Sequence, residues 1–160
     1  APAASPADAV MAVEAAAEAF KTWSETGPSE RRALLLKAAD ALEAKTPQFI
    51  EAVAAETGAT GMWAGFNVML AAGMIREAAA LTTQVAGEVI PSDVPGSLAM
   101  GVRQAAGVVL GIAPWNAPVI LGVRAIATPG WACSQSARVV LPDFGTPMRT
   151  ASSIEFNAQK

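Results

Sequence analysis

The residue with the clearest capacity for chemistry in this sequence is Asn116, set in the run GVVLGIAPWNAP over residues 107–118. A carboxamide N–H held between Trp115 and a proline-initiated helix can donate to an oxygen that gains negative charge during a reaction. On spacing alone the alternative is that Asn116 caps the helix beginning near Pro118. The second candidate is Cys133, the only thiol in the chain. With no histidine present, only a helix terminus or an arginine could lower its pKa, and the alternative is a buried, inert thiol. The lack of histidine also removes Ser-His and Cys-His activation from within the chain. One cysteine and no histidine leave no ligand set for a structural zinc, so no metal is expected. A single cysteine excludes an internal disulfide and fits a reducing cytoplasm.

The elements that must position Asn116 follow from the same run. Residues 108–112 are a continuous apolar stretch, expected as a strand covered on both faces. The prolines at 114 and 118 then constrain a loop, and a helix is expected from Pro118 to about Ala127, ending at Thr128-Pro129-Gly130. A loop at the carboxyl end of a strand is where open α/β sheets bind ligands. Residues 139–141 read as one more buried strand, which completes a β-α-β unit.

The first half reads as helices. Val10, Val13, Ala17 and Phe20 recur at helical spacing, and Gly27-Pro28 stops that helix. Ser29 is expected to cap the next, whose buried stripe is Leu35, Ala38 and Leu42. Thr46-Pro47 restarts the chain with a cap and a proline at the first helical position, and Gly58 ends that helix. Thr60 caps a longer helix to about Ala86, with Trp63, Phe66, Leu70, Met74, Ala78, Leu81 and Val85 as its core-facing stripe. Met62, Met69 and Met74 either fill gaps in a core or line an adaptable ligand tunnel. Beyond Gly87 the period shortens: Leu98, Met100 and Val102 alternate as in a half-buried strand.

Net charge and patterning exclude some classes. The charge is −3 and the pI about 4.9, with no basic stripe to neutralise phosphates, so no nucleic acid is expected as a partner. Residues 105–123 carry no formal charge, but Pro114, Asn116 and Pro118 stand near their middle and argue against a membrane span. The start of the chain lacks the basic and apolar regions of a signal peptide, which again fits the cytoplasm.

The run GVVLGIAPWNAPVILGVRAIATP resembles the first strand-loop-helix of the nucleotide-binding domain in aldehyde dehydrogenases, and within them the salicylaldehyde and vanillin dehydrogenase group. RRALLLKAADALEAKTPQFIEAVAAETGAT and EAAALTTQVAGEVIPSDVPGSLAMGVRQ resemble the same family's leading helices and β connection, so the likeness covers roughly residues 6–129. It implies an α/β fold: a helical layer (1–86), then a β connection and the first β-α-β of a Rossmann-like parallel sheet (87–141). It implies an NAD or NADP cofactor and an aromatic aldehyde substrate oxidised to the acid. Asn116 would contribute to the oxyanion hole, Ile112, Ala113, Pro114 and Trp115 would border the cofactor, and Ala117 and Leu121 would face the aldehyde tunnel, where a small Ala117 leaves room for a ring. No GxGxxG turn occurs, and the spacing of residues alone names no dinucleotide.

The resemblance also implies that the family's nucleophilic cysteine and its glutamate base fall beyond the end of this sequence, making it a truncated, incomplete nucleotide-binding domain. Cys133 matches instead a cysteine of the family's PLACGNTVVLK segment, away from the chemistry. Here that segment reads WACSQSARVVL, followed by Pro142. With Ala137-Arg138 taken as a two-residue insertion, the lysine expected near the adenosine ribose is absent, and Arg138 or Lys160 is either its substitute or a solvated charge. Residues 142–160 form a divergent tail without a recognised counterpart. One or two strands cannot close a parallel sheet, so residues 108–112 are expected to expose an edge and a face, and the chain to associate as a homo-oligomer. The alternative to an enzyme is a non-catalytic oligomerising module.

Overall fold

The computed structural model of the chain describes residues 4–131 and 137–139. Four helices come first: α1 (Pro6–Trp23), α2 (Pro28–Ala44), α3 (Thr46–Thr57) and α4 (Gly61–Leu81). Then follow β1 (Glu88–Ile90), β2 (Ala99–Gly101), β3 (Val109–Gly111), α5 (Pro118–Trp131) and β4 (Ala137–Val139). β1 and β2 form an antiparallel pair, while β3 and β4 lie parallel with α5 as their crossover. The expected order, a helical layer and then a β-α-β unit, is the observed one.

Helix starts follow local chemistry, with corrections in detail. Ser5 and Asp8 close a capping box on α1: the Ser5 hydroxyl accepts from the Asp8 N–H, and the Asp8 carboxylate accepts from the Ser5 N–H. The Ser5 N–H and, second to it, the Ser5 hydroxyl donate to the Asp8 carboxylate and hold its carboxyl below its ordinary range. Ser29 does not cap α2; Gly27 does, with Pro28 at the first turn, because the proline already supplies the preset φ. Thr46 is likewise inside α3, its hydroxyl donating back to the Glu43 carbonyl at 2.6 Å, and Lys45 occupies the cap position. Gly58 ends α3 at φ 70, a left-handed conformation that glycine adopts without a Cβ penalty. Thr60 caps α4 as expected, its hydroxyl accepting from the Trp63 N–H at 3.3 Å. That helix ends at Leu81 and not near Ala86.

The core lies where α4 meets α2, α3 and α5. Leu35, Ala38, Ala39 and Leu42 of α2 pack against Ala64, Val68, Ala71, Ala72, Ile75 and Ala79 of α4, and Val119, Val123 and Ala127 of α5 close the cluster. The face of α4 is therefore rotated from the expected one. Of the stripe drawn through the larger residues only Ala78 is buried; Trp63, Phe66 and Leu70 are exposed and Met74 is half-buried against the cluster. Alanines let three helices approach this one closely, and close packing outweighs burying the larger side chains. Met62 and Met69 are exposed, so they fill no gap in this core. The α1 stripe is also corrected: Val10, Val13 and Ala17 face outward, Phe20 is half-buried, and Ala16 is the buried residue.

The strands depart from expectation in burial. Leu98, Met100 and Val102 are all exposed, so β2 is not half-buried through them. On β3 only Val109 and Gly111 turn inward, while Val108, Leu110 and Ile112 are open. The reading of residues 108–112 as covered on both faces is overturned, and the exposed face expected from so few strands is what is present. A parallel strand needs layers on both sides, and one helix supplies one layer. α5 runs through Pro129 to Trp131 without the expected break; a missing N–H in the last turn removes one bond and leaves the helix otherwise intact. Among the described residues, no helix is long and apolar enough to cross a membrane.

Candidate active site

The strand, loop and helix place residues 112–117 together at the carboxyl end of β3 and the amino end of α5. The first α5 backbone bond runs from the Leu121 N–H to the Ala117 carbonyl at 3.0 Å, so the backbone at Ala117 starts the helix. The Asn116 side chain is exposed and makes no hydrogen bond to a described residue, so it does not cap α5. Its donor N–H groups are free for an incoming group. From 113 to 117 the loop is buried at its two ends and open between them: Ala113 is 4% exposed and Ala117 8%, while Trp115 is 62% exposed and Ile112, just before the loop, 67%. The two buried alanines anchor the loop to the layer beneath, and the apolar Ile112 and Trp115 remain open on the same stretch. Pro114 is exposed between them and Leu121 is half-buried one turn into α5.

One contact ties this loop to the helical layer. The indole Nε1–H of Trp63 on α4 donates to the Asn116 backbone carbonyl at 3.2 Å. Sequence reading placed Trp63 in the core and did not see its part here; the signal available was a tryptophan, whose N–H seeks a partner, near a helix start. Cys133 lies outside the described residues, as do residues 140–160 with their expected strand end at Leu141. Arg138 falls on β4, whose backbone alone is described.

A helical layer seated on a β-α-β unit, with a proline-bounded asparagine loop at the strand end, defines an α/β architecture. Residues 1–152 match the aldehyde dehydrogenase family, and the chain belongs to that family. The match runs past Pro129 into the tail that sequence reading left without a counterpart. Vanillin dehydrogenase of Pseudomonas sp. (strain HR199 / DSM 7063) is 68% identical over 127 residues, covering 79% of this chain and 26% of that protein. Salicylaldehyde dehydrogenase of Pseudomonas putida is 57% identical over 122 residues, covering 76% of this chain and 25% of the relative. The crystal structure of a salicylaldehyde dehydrogenase from Pseudomonas putida G7 complexed with salicylaldehyde superposes with a TM-score of 0.77 at 52% identity, covering 84% of this chain and 27% of that one. The chain thus spans about a quarter of the length of the curated relatives it matches.

Proposed function

We propose that this chain provides the oxyanion donor and the cofactor-facing loop of an NAD(P)-dependent aldehyde dehydrogenase that oxidises aromatic aldehydes to carboxylic acids. The observation that carries the reading is the uncommitted carboxamide of Asn116 on a loop fixed by buried Ala113 and Ala117. The identity to vanillin and salicylaldehyde dehydrogenases supports the aromatic substrate class.

The residues at the strand end fit a nicotinamide cofactor. Ile112 and Trp115 offer open apolar surface for a flat ring, and no charged side chain occurs from residue 105 to residue 123. When bound, NAD(P) supplies the acceptor for the hydride that leaves the aldehyde carbon. Asn116 acts on the other substrate: its N–H donates to the aldehyde oxygen, whose charge grows as the carbon becomes tetrahedral. A donor already in place costs no reorganisation at that moment. Pro114 and Pro118 fix their own φ and restrict Ala113 and Ala117, which limits the loop on either side of Asn116. Small Ala117 leaves space for an aromatic ring, and Leu121 supplies apolar contact in the substrate tunnel.

Cys133 is assigned no part in the attack on the aldehyde, because it matches a family cysteine away from the chemistry. The test is NADH production from salicylaldehyde and vanillin by the protein as its gene encodes it, with Asn116→Ala and Cys133→Ala beside the wild type. Asn116→Ala lowers kcat roughly a hundredfold or more, and Cys133→Ala keeps the activity. A Cys133→Ala variant without activity would return that thiol to the mechanism. No NADH from pure wild type would sink the enzyme reading. The second reading, a non-catalytic associating module in the cytoplasm, is favoured by the open apolar faces of α1 and β3.

A further inference from the structure

We infer that Trp63 is a positioning residue for the Asn116 oxyanion donor, acting through the hydrogen bond from its indole N–H to the Asn116 backbone carbonyl. The inference rests on the oxyanion role proposed above and extends it to a residue 53 positions away on a different element.

Four contacts hold Trp63, two at its backbone and two at its ring. The Trp63 backbone N–H is capped by the Thr60 hydroxyl at 3.3 Å. Its carbonyl accepts from the Asn67 Nδ2 at 2.9 Å, and Asn67 is fully buried in the core. Its ring stacks on Phe66 with centroids 5.6 Å apart and an interplanar angle of 27°. Its Nε1–H then reaches the Asn116 carbonyl at 3.2 Å. The helix holds the Trp63 backbone, and the stack on Phe66 favours the ring orientation from which Nε1–H reaches the loop.

The acceptor explains why this bond matters to chemistry. The Asn116 carbonyl belongs to the peptide unit joining Asn116 to Ala117, so fixing it restrains ψ at Asn116. The carboxamide branches from the same Cα, so holding that backbone holds the Cα–Cβ bond from which the donor extends and leaves χ1 and χ2 as its remaining freedoms. The loop is bounded by two prolines, but neither proline fixes ψ at Asn116 itself. The tryptophan supplies that missing restraint.

Trp63→Phe keeps the ring and its stacking and removes the N–H. In the gene-encoded protein its kcat for salicylaldehyde falls roughly tenfold with KM unchanged, because the donor is misaimed and not lost. In an Asn116→Ala background, Trp63→Phe adds no further loss, since the group it positions is already gone. With selective 15N-asparagine labelling, the Asn116 carboxamide signals shift in Trp63→Phe while other asparagine signals stay. A rise in KM at unchanged kcat would make Trp63 a substrate contact and overturn the proposal. So would an independent loss in the double variant, or unmoved Asn116 signals. The labelled spectrum decides the positioning even if wild type makes no NADH, in which case the proposed function alone fails. If Asn116→Ala costs a hundredfold and Trp63→Phe nothing, the positioning role alone fails.

Discussion

At the scale of the residue, Asn116 stands exposed with a carboxamide that bonds no described residue, while donors of three other polar side chains are committed to the fold. Asn67 is spent inside the core on the Trp63 carbonyl, and Thr82 is buried with its hydroxyl on the Ala79 carbonyl. Arg76 is spent as well: it grips Glu43 through two bonds of 2.7 Å and Asp40 at 2.9 Å, clamping α4 to α2. The arginine pairing holds the Glu43 carboxyl below its ordinary value of 4.5 and raises the guanidinium. A carboxyl with a depressed pKa stabilises the fold above its ordinary pKa, and that contribution disappears as pH falls through the lowered value. Thermal melting from pH 7 down to pH 3 should therefore show Glu43→Gln costing stability at neutral pH, with the gap to wild type closing in acid. A constant gap would mean that the ion pair contributes nothing to the fold. Asn116 was legible in the sequence because prolines and a tryptophan frame it. Its partner Trp63 was not, because a helical stripe of large residues reads as core whichever way it faces.

At the scale of the element, α4 is the lesson in periodicity. The helix is apolar nearly all round, so its small and its large residues both repeat at threes and fours. Spacing cannot choose between them; the neighbours do. α2, α3 and α5 need close approach, and only the alanine face allows it. Ala79→Leu, at a site with no exposed surface, should then cost about 1–3 kcal/mol in chemical denaturation through overpacking. Leu70→Ala on the open side should cost under about 0.5 kcal/mol. Equal costs would mean the face is misassigned. The hairpin gives a second case. A Cβ on Gly87 would stand 2.6 Å from the Gly101 carbonyl, so Gly87→Ala must push the entry to β1 away from β2. Faster amide exchange at residues 88–90 in that variant is the expected sign, and unchanged protection would contradict the close approach. Helix stops at Gly58 and starts at Ser5 and Thr60 depend on local chemistry. Of these, sequence reading identified Gly58 and Thr60. The caps expected at Ser29 and Thr46 fall one or two residues late, because α2 starts at Pro28 behind Gly27 and α3 starts at Thr46 itself behind Lys45.

At the scale of the molecule, the described residues leave apolar surface uncovered on α1, α4 and β3 as well as on the β1–β2 pair. Val10, Met11 and Val13 lie on α1, Met62, Phe66 and Met69 on α4, and Leu110 and Ile112 at β3. Surfaces of this kind mark contact with other protein. Sedimentation over a range of concentrations should show association of the 160-residue chain, and Val10→Glu with Val13→Glu should weaken it; a monodisperse monomer at all concentrations would exclude self-association. The fold class was legible at this scale because helical spacing gives way to strand spacing beyond Gly87 and a β-α-β pattern follows. Burial of the strands was not, since it depends on layers that residues 108–112 cannot specify by themselves.

The central claim is that the Asn116 carboxamide stabilises the oxyanion of an aldehyde oxidation. It is tested most directly by the kcat for NADH formation from salicylaldehyde in the gene-encoded protein against Asn116→Ala. The account predicts a fall of roughly a hundredfold or more in the variant. Equal rates in the two proteins would contradict it.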